Sequence, residues 1–120
     1  GRPRPLVIAN PDVIAPKETA FSLEPGYFSH ELLNVVDLDY EFHGKPFPSV
    51  FDEVERRCNG SYPLNRIAMV GDTLHTDVLG ANVRQWASIL VTEHGLFRGH
   101  PVDGFIVQSG ICPDWIVPSI

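Results

Sequence analysis

The chain reads as an α/β protein built on a parallel sheet, and three observations predict it. Short apolar runs alternate with stretches of helical periodicity, the runs stop at turn residues, and the charged residues gather at those turns. The clearest instance is Ile67-Ala68-Met69-Val70-Gly71-Asp72-Thr73-Leu74-His75-Thr76-Asp77. Four consecutive apolar residues ahead of a turn signal suit a strand buried on both faces. From Asp77 to Trp86 the apolar residues recur at helical spacing, so the unit is a strand, a turn and a helix.

The other elements follow in order. Leu6-Val7-Ile8-Ala9 predicts a first strand, Pro16 to Pro25 a loop, and about Gly26 to Val36 a helix. Tyr40-Glu41-Phe42-His43 is a second short strand. The segment Pro48 to Cys58 after it places apolar residues 50, 51, 54 and 58 on one helical face. Ala87-Ser88-Ile89-Leu90-Val91-Thr92 is apolar and β-branched enough for a strand that ends at Thr92-Glu93-His94-Gly95 beside the Asp72 crevice. His94 is read as a loop histidine bonded to backbone, with a phosphate-facing role as the sharper alternative. A helix around Val102 to Gln108 precedes Pro113-Asp114-Trp115-Ile116-Val117-Pro118-Ser119, whose flanking prolines suit an edge strand. Trp86 and Trp115 are expected in the core. Phe21, Tyr27 and Phe28 are expected to pack, with a contribution to substrate choice as the alternative.

In open α/β sheets the ligand crevice lies beyond the carboxyl ends of the strands, where Asp72 falls, and Asp77 falls in the first turn of the next helix. Both carboxylates then face one crevice. Gly71 lets the backbone turn without a clashing Cβ, and hard oxygen ligands of this kind suit Mg²⁺, which keeps several waters and adds substrate phosphate oxygens. An acidic turn with a helix-end charge is the plainer reading of the same residues. Gly44-Lys45-Pro46 lies at another strand-to-helix junction. A lysine held between glycine and proline can neutralise a phosphate or a carboxylate nucleophile at such a crevice, whereas most lysines are merely exposed.

Gly44-Lys45-Pro46 followed one helical unit later by Gly71-Asp72 and Asp77 resembles motifs III and IV of the haloacid dehalogenase (HAD) superfamily, closest to the class IIA phosphatases of the nitrophenylphosphatase and N-acetylglucosamine-phosphate phosphatase group. Asn10-Pro11-Asp12, after an apolar run, resembles the substrate loop late in the class IIA cap, and Thr76-Asp77-Val78-Leu79-Gly80-Ala81 resembles the usual continuation of motif IV. The resemblance implies a Rossmann-like three-layer core, a parallel sheet with helices on both faces. Residues 1–39 would be the end of the cap and its connection to the core, and residues 40–120 the carboxyl-terminal part of that core. Asp72 would bind Mg²⁺ directly, Asp77 would hold a metal-bound water or orient Lys45, and Lys45 would stabilise the aspartyl nucleophile and the transferring phosphoryl group. Asn10 and Asp12 would touch the substrate or shape the entrance above it. Phosphoryl transfer needs mostly positioning and charge neutralisation, which these groups supply.

The departure from the family matters as much. Its phosphatases attack with the first aspartate of an early Asp-x-Asp pair and carry a Thr or Ser on a later strand before the cap, and the chain is expected to begin after both. Val35-Val36-Asp37-Leu38-Asp39-Tyr40 contains an Asp-x-Asp, but only five residues separate Asp39 from Lys45, too few for the helix, strand and cap that must intervene. It is read as a solvated helix end. The chain is therefore expected to be part of a Mg²⁺-dependent phosphatase, inactive alone for want of its nucleophile.

Composition excludes other classes. With 120 residues and 43% hydrophobic content the chain is one domain or part of one, burying about two-thirds of its unfolded surface if it folds alone. A net charge of −6, with only Arg56-Arg57 adjacent, argues against nucleic acid. A small phosphorylated substrate needs only a local positive pocket. No run approaches a membrane span, and the start Gly1-Arg2-Pro3-Arg4-Pro5 leads into too few apolar residues for a cleavable signal. Cys58 and Cys112 lack metal spacing and are expected as reduced thiols in a cytoplasmic protein. Without its first strands the sheet would keep an open edge, which makes a homo-oligomer one expected outcome. Two other readings stand beside the phosphatase: a non-catalytic phosphate-binding or interaction domain, and a receiver-type phosphoacceptor domain, for which no aspartate before Lys45 is well placed.

Overall fold

A computed structural model describes residues 4–120; the reading of the Gly1-Arg2-Pro3 start lies outside the described residues. Strand β1 (Leu6–Ile8) runs parallel to β4 (Tyr40–Phe42), with Leu6 opposite Tyr40. Between them, β2 (Ile14–Pro16) and β3 (Phe21–Leu23) form an antiparallel hairpin, followed by α1 (Pro25–Leu33). Helix α2 (Pro48–Cys58) leads to a parallel sheet ordered β5 (Ala68–Gly71), β6 (Ala87–Val91) and β7 (Trp115–Val117). A π-helical turn (Leu74–Val78) and α3 (Leu79–Arg84) connect β5 to β6, and a 3₁₀ turn (Gly95–Phe97) and α4 (Asp103–Ser109) connect β6 to β7. The chain is α/β with parallel sheets, as its alternating pattern predicts.

Local chemistry explains where the elements stop. Pro25 and Pro48 open α1 and α2, where the missing N–H is no loss and φ is preset. Helix α2 ends on Asn59, which adopts the left-handed conformation (φ 47°) and donates its N–H to Glu55 and Arg56 carbonyls. The core lies on both sides of α3. Leu74, Val78, Leu90, Phe97 and Val102 form one buried cluster, and Phe51, Ala81 and Trp86 the other.

Several expectations are corrected. The segment Pro16 to Pro25, read as a loop, contains β3 and the hairpin turn; its prolines and the charged Lys17-Glu18 give it the composition of a loop. Helix α1 stops at Leu33 rather than Val36; Val35, Asp37 and Asp39 are exposed in the following connection, as expected of a solvated helix end. Strand β5, read as buried on both faces, exposes Ala68 and Val70 on one face and half-buries Met69 and Gly71 on the other. On α2, Phe51 is buried but Val50 and Val54 are exposed. Trp86 is buried, whereas Trp115, expected in the core, is 57% exposed, since β7 is the sheet edge, as predicted, and that residue faces outward. Both cysteines are free thiols. No helix among the described residues is long and apolar enough to cross a membrane.

Candidate functional site

The site is organised around Asp77, whose side chain is 3% exposed. A carboxylate this deeply buried needs compensating partners. Lys45 Nζ donates to its Oδ1 at 2.6 Å, and the backbone N–H groups of Asp72 and Thr73 donate to its Oδ2 at 3.1 and 3.2 Å. The π turn makes this possible: the N–H groups of Asp77 and Val78 both reach the Thr73 carbonyl, and the widened turn carries Asp77 back beneath the end of β5. Gly71 is required there, because a Cβ at that position would overlap the Asp77 carboxylate.

Asp72, half-buried at the carboxyl end of β5, has a different setting. Its Oδ1 accepts from the Thr73 hydroxyl and its Oδ2 from the Leu96 N–H, both at 3.2 Å. Among the described residues no lysine or arginine forms an ion pair with it. Gly95, at φ +71°, presses against the same carboxylate, and any side chain there would displace it. Hard oxygen with uncompensated charge is what Mg²⁺ takes, and Asp72 could hold it together with waters and further oxygens. No group of three or more His, Cys, Asp or Glu side chains able to hold a metal occurs among the described residues.

Lys45 sits in the loop between β4 and α2, and its side chain is 41% exposed, so one N–H is engaged by Asp77 and the ammonium still reaches solvent. The Asn10-Pro11-Asp12 segment forms an Asx turn, with Asn10 Oδ1 accepting from the Asp12 N–H at 3.0 Å. The Asp12 carbonyl accepts from the Gly26 N–H at 2.9 Å, which ties the turn to the start of α1. Pro11 packs against Gly44, whose φ is +90° and whose Cβ, if present, would lie 2.8 Å from the proline Cδ. The fold thus brings Lys45, Asp72 and Asp77 into one cluster and lays the Asn10–Asp12 turn beside it. No hydrogen bond joins Asn10 or Asp12 to the three among the described residues.

The sequence placed the Thr92-Glu93-His94-Gly95 turn beside the Asp72 crevice but did not single out Thr73 or Leu96, whose hydroxyl and N–H donate to Asp72. A threonine following Asp72 carried no signal of its own, but a glycine just past the end of β6 did: a strand-end turn opposite β5 must approach its neighbour's carboxyl end. His94 is exposed.

Parallel strands ending in a lysine–carboxylate cluster define the class, a parallel α/β protein with its charged groups gathered at strand ends. The chain belongs to the HAD-like hydrolase family, whose model, described as HAD-hydrolase-like, matches residues 42–120. Among solved structures it is similar to a possible sugar phosphatase of the HAD superfamily from Cytophaga hutchinsonii, at 27% identity and a TM-score of 0.78 over 98% of this chain and 42% of that one. It is also similar to a 4-nitrophenylphosphatase from Thermotoga maritima, at 27% identity and a TM-score of 0.70 over 94% and 41%. A p-nitrophenyl phosphatase from Archaeoglobus fulgidus shares the fold, at 23% identity and a TM-score of 0.74 over 94% and 42%. The chain therefore spans about two-fifths of the length of the solved structures it matches. No curated protein matches it.

Proposed function

We propose that this chain is the motif III and IV portion of a Mg²⁺-dependent phosphatase that hydrolyses small phosphomonoesters through an aspartyl-phosphate. The carrying observation is Asp77, buried and bonded to Lys45 at 2.6 Å while its other oxygen takes two backbone N–H groups. That arrangement points the ammonium in a fixed direction, which a merely solvated lysine lacks. In this reading Asp77 orients Lys45, and Lys45 neutralises charge on the nucleophile and on the transferring phosphoryl oxygens. Asp72 is the direct metal ligand, held in orientation by Leu96 N–H and Thr73 Oγ1. When bound, Mg²⁺ would supply Lewis-acid neutralisation of phosphoryl oxygens. Asn10 and Asp12 border the substrate entrance through the contact of Pro11 with Gly44.

In the same reading residues 1–39 complete the cap and its connection, residues 40–120 belong to the core, and the nucleophile comes from outside these 120 residues. The exposed Asp37 and Asp39 come just before β4, at the opposite end of that strand from Lys45, and in this reading do not serve as one. The chain alone then turns over nothing, and the protein is cytoplasmic. The test is hydrolysis of 4-nitrophenyl phosphate by the full-length protein. Asp72→Asn should lower kcat by at least about a hundredfold, in the range typical of a lost electrostatic stabiliser. Undiminished turnover in that variant refutes the assignment.

A further inference from the structure

A cavity of about 1020 Å³ opens beside the lysine–carboxylate cluster rather than over it. One wall is the β2–β3 hairpin turn, Pro16 to Phe21, closed by the Lys17 N–H donating to the Ala20 carbonyl at 2.8 Å. The other is the loop from Gly95 to His100, whose 3₁₀ turn lies close to β2. Leu96 belongs to both places: its side lines the cavity and its N–H donates to Asp72 Oδ2 at 3.2 Å. The cavity therefore begins where the surroundings of Asp72 end.

Its charge is opposite to that of the chain. In a protein of net charge −6, the cavity carries Lys17 and Arg98 against a single carboxylate, Glu18, with His100 as a further polar group. Among the described residues neither Lys17 nor Arg98 lies in an ion pair, although most of the other arginines do. Two cations left unpaired in a concave, polar-lined space of small-molecule size are arranged for an anionic group. A guanidinium adds a fork that matches carboxylate or phosphate oxygens.

We propose that this cavity receives a second anionic group of the substrate, held by Lys17 and Arg98 while the scissile phosphate lies at Lys45 and Asp72. The inference rests on the phosphatase reading and deepens it: the preferred substrates are phosphomonoesters that carry another carboxylate or phosphate. The hairpin turn, in the part of the chain read as cap and connection, and the Gly95–His100 loop, in the part read as core, then set specificity together.

The experiment uses the full-length protein and two matched substrate pairs, 3-phosphoglycerate against glycerol 3-phosphate and fructose 1,6-bisphosphate against fructose 6-phosphate. The expected result is a lower KM for the doubly anionic member of at least one pair; the first pair reports a carboxylate, the second a phosphate. Lys17→Gln and Arg98→Gln should each raise that KM about three- to fivefold, the range for exposed charge pairs, and leave the singly anionic partner unaffected. The preference should also shrink at high salt. Equal KM values within both pairs, or variants that weaken all four substrates alike, overturn the inference while leaving the phosphatase reading standing. Failure to hydrolyse any phosphate ester overturns both.

Discussion

Asp77 and Asp72 are neighbours with unlike surroundings, and the difference sets what each does. Asp77 has three donors and almost no solvent, so its removal leaves Lys45 and two N–H groups without their acceptor. Asp77→Ala should cost about 1–3 kcal/mol, discounted from a fully buried pair because Lys45 remains partly solvated, and denaturant midpoints will show it. Gly95→Ala should cost at least about 1 kcal/mol for backbone strain at φ +71° and should also displace Asp72, read as weakened Mg²⁺ binding. A third residue supplies a pH signature. The Glu53 carboxyl is lowered from its ordinary 4.5 to about 2 by hydrogen bonds from Arg56 and Arg57. A depressed folded-state value means that the stabilisation is fully present above about 4.5 and is lost as pH falls through about 2. Carboxyl NMR titration should find Glu53 still ionised at pH values where ordinary glutamates are protonated, and its midpoint should rise in high salt because the group is exposed. A midpoint unmoved from the ordinary value would refute it.

Helices α2 and α3 must keep a fixed spacing, because Lys45 precedes one and Asp77 the other. Phe51 fills the space over Gly80, where a Cβ would overlap its ring, and meets Trp86 edge-on with centroids 5.4 Å apart. Outside this contact Arg84 forks onto Glu55 at 2.9 and 2.7 Å and also reaches Asp52. The Trp86 indole N–H donates to Glu55 as well. The hydrogen bonds that Arg84 donates to Glu55 are the main cause of its raised pKa. Gly80→Ala should cost about 1–3 kcal/mol through overpacking, and because it moves α2 it should lower activity of the full-length enzyme more than its stability loss explains. Thermal midpoints and kcat measured on one preparation separate the two effects.

The whole molecule is more open than its length requires. Its radius of gyration is 16.2 Å, against about 14 Å expected for a compact domain of this size. The excess comes from three sheets that do not merge, ordered β1-β4, β2-β3 and β5-β6-β7. Val7, Tyr40 and Val70, one on each of β1, β4 and β5, are exposed on strands with unpaired neighbours among the described residues. Apolar strand edges of this kind invite pairing. The 120 residues alone should therefore run in light scattering above the 13.3 kDa of one chain, and a monodisperse monomer at micromolar concentration would show that the edges are tolerated.

Periodicity and turn chemistry made α2, β5, β6, α4 and β7 readable along the chain, and the ordered pairing of Gly44-Lys45-Pro46 with Gly71-Asp72 and Asp77 identified the family. Those features are local: a few neighbouring residues set the period, the cap or the turn. The β2–β3 hairpin escaped because Pro16, the charged Lys17-Glu18 and Pro25 give the segment the composition of a loop, and the exposure of Trp115 and Val70 escaped because a strand's apolar content does not say whether anything packs over it. The family resemblance offered Asp77 two roles, holding a metal-bound water or orienting Lys45, and the order of residues alone did not choose between them. The π turn and the absence of a Cβ at Gly71 let Asp77 meet the lysine, while Asp72, beside the Gly95-Leu96 loop, forms no ion pair with a lysine or arginine among the described residues. The sequence by itself determined the elements and the chemistry available at their ends, because those depend on neighbours in the chain. Only the tertiary structure decided how that charge was shared, because compensating a buried carboxylate depends on groups that are distant in sequence and adjacent in space.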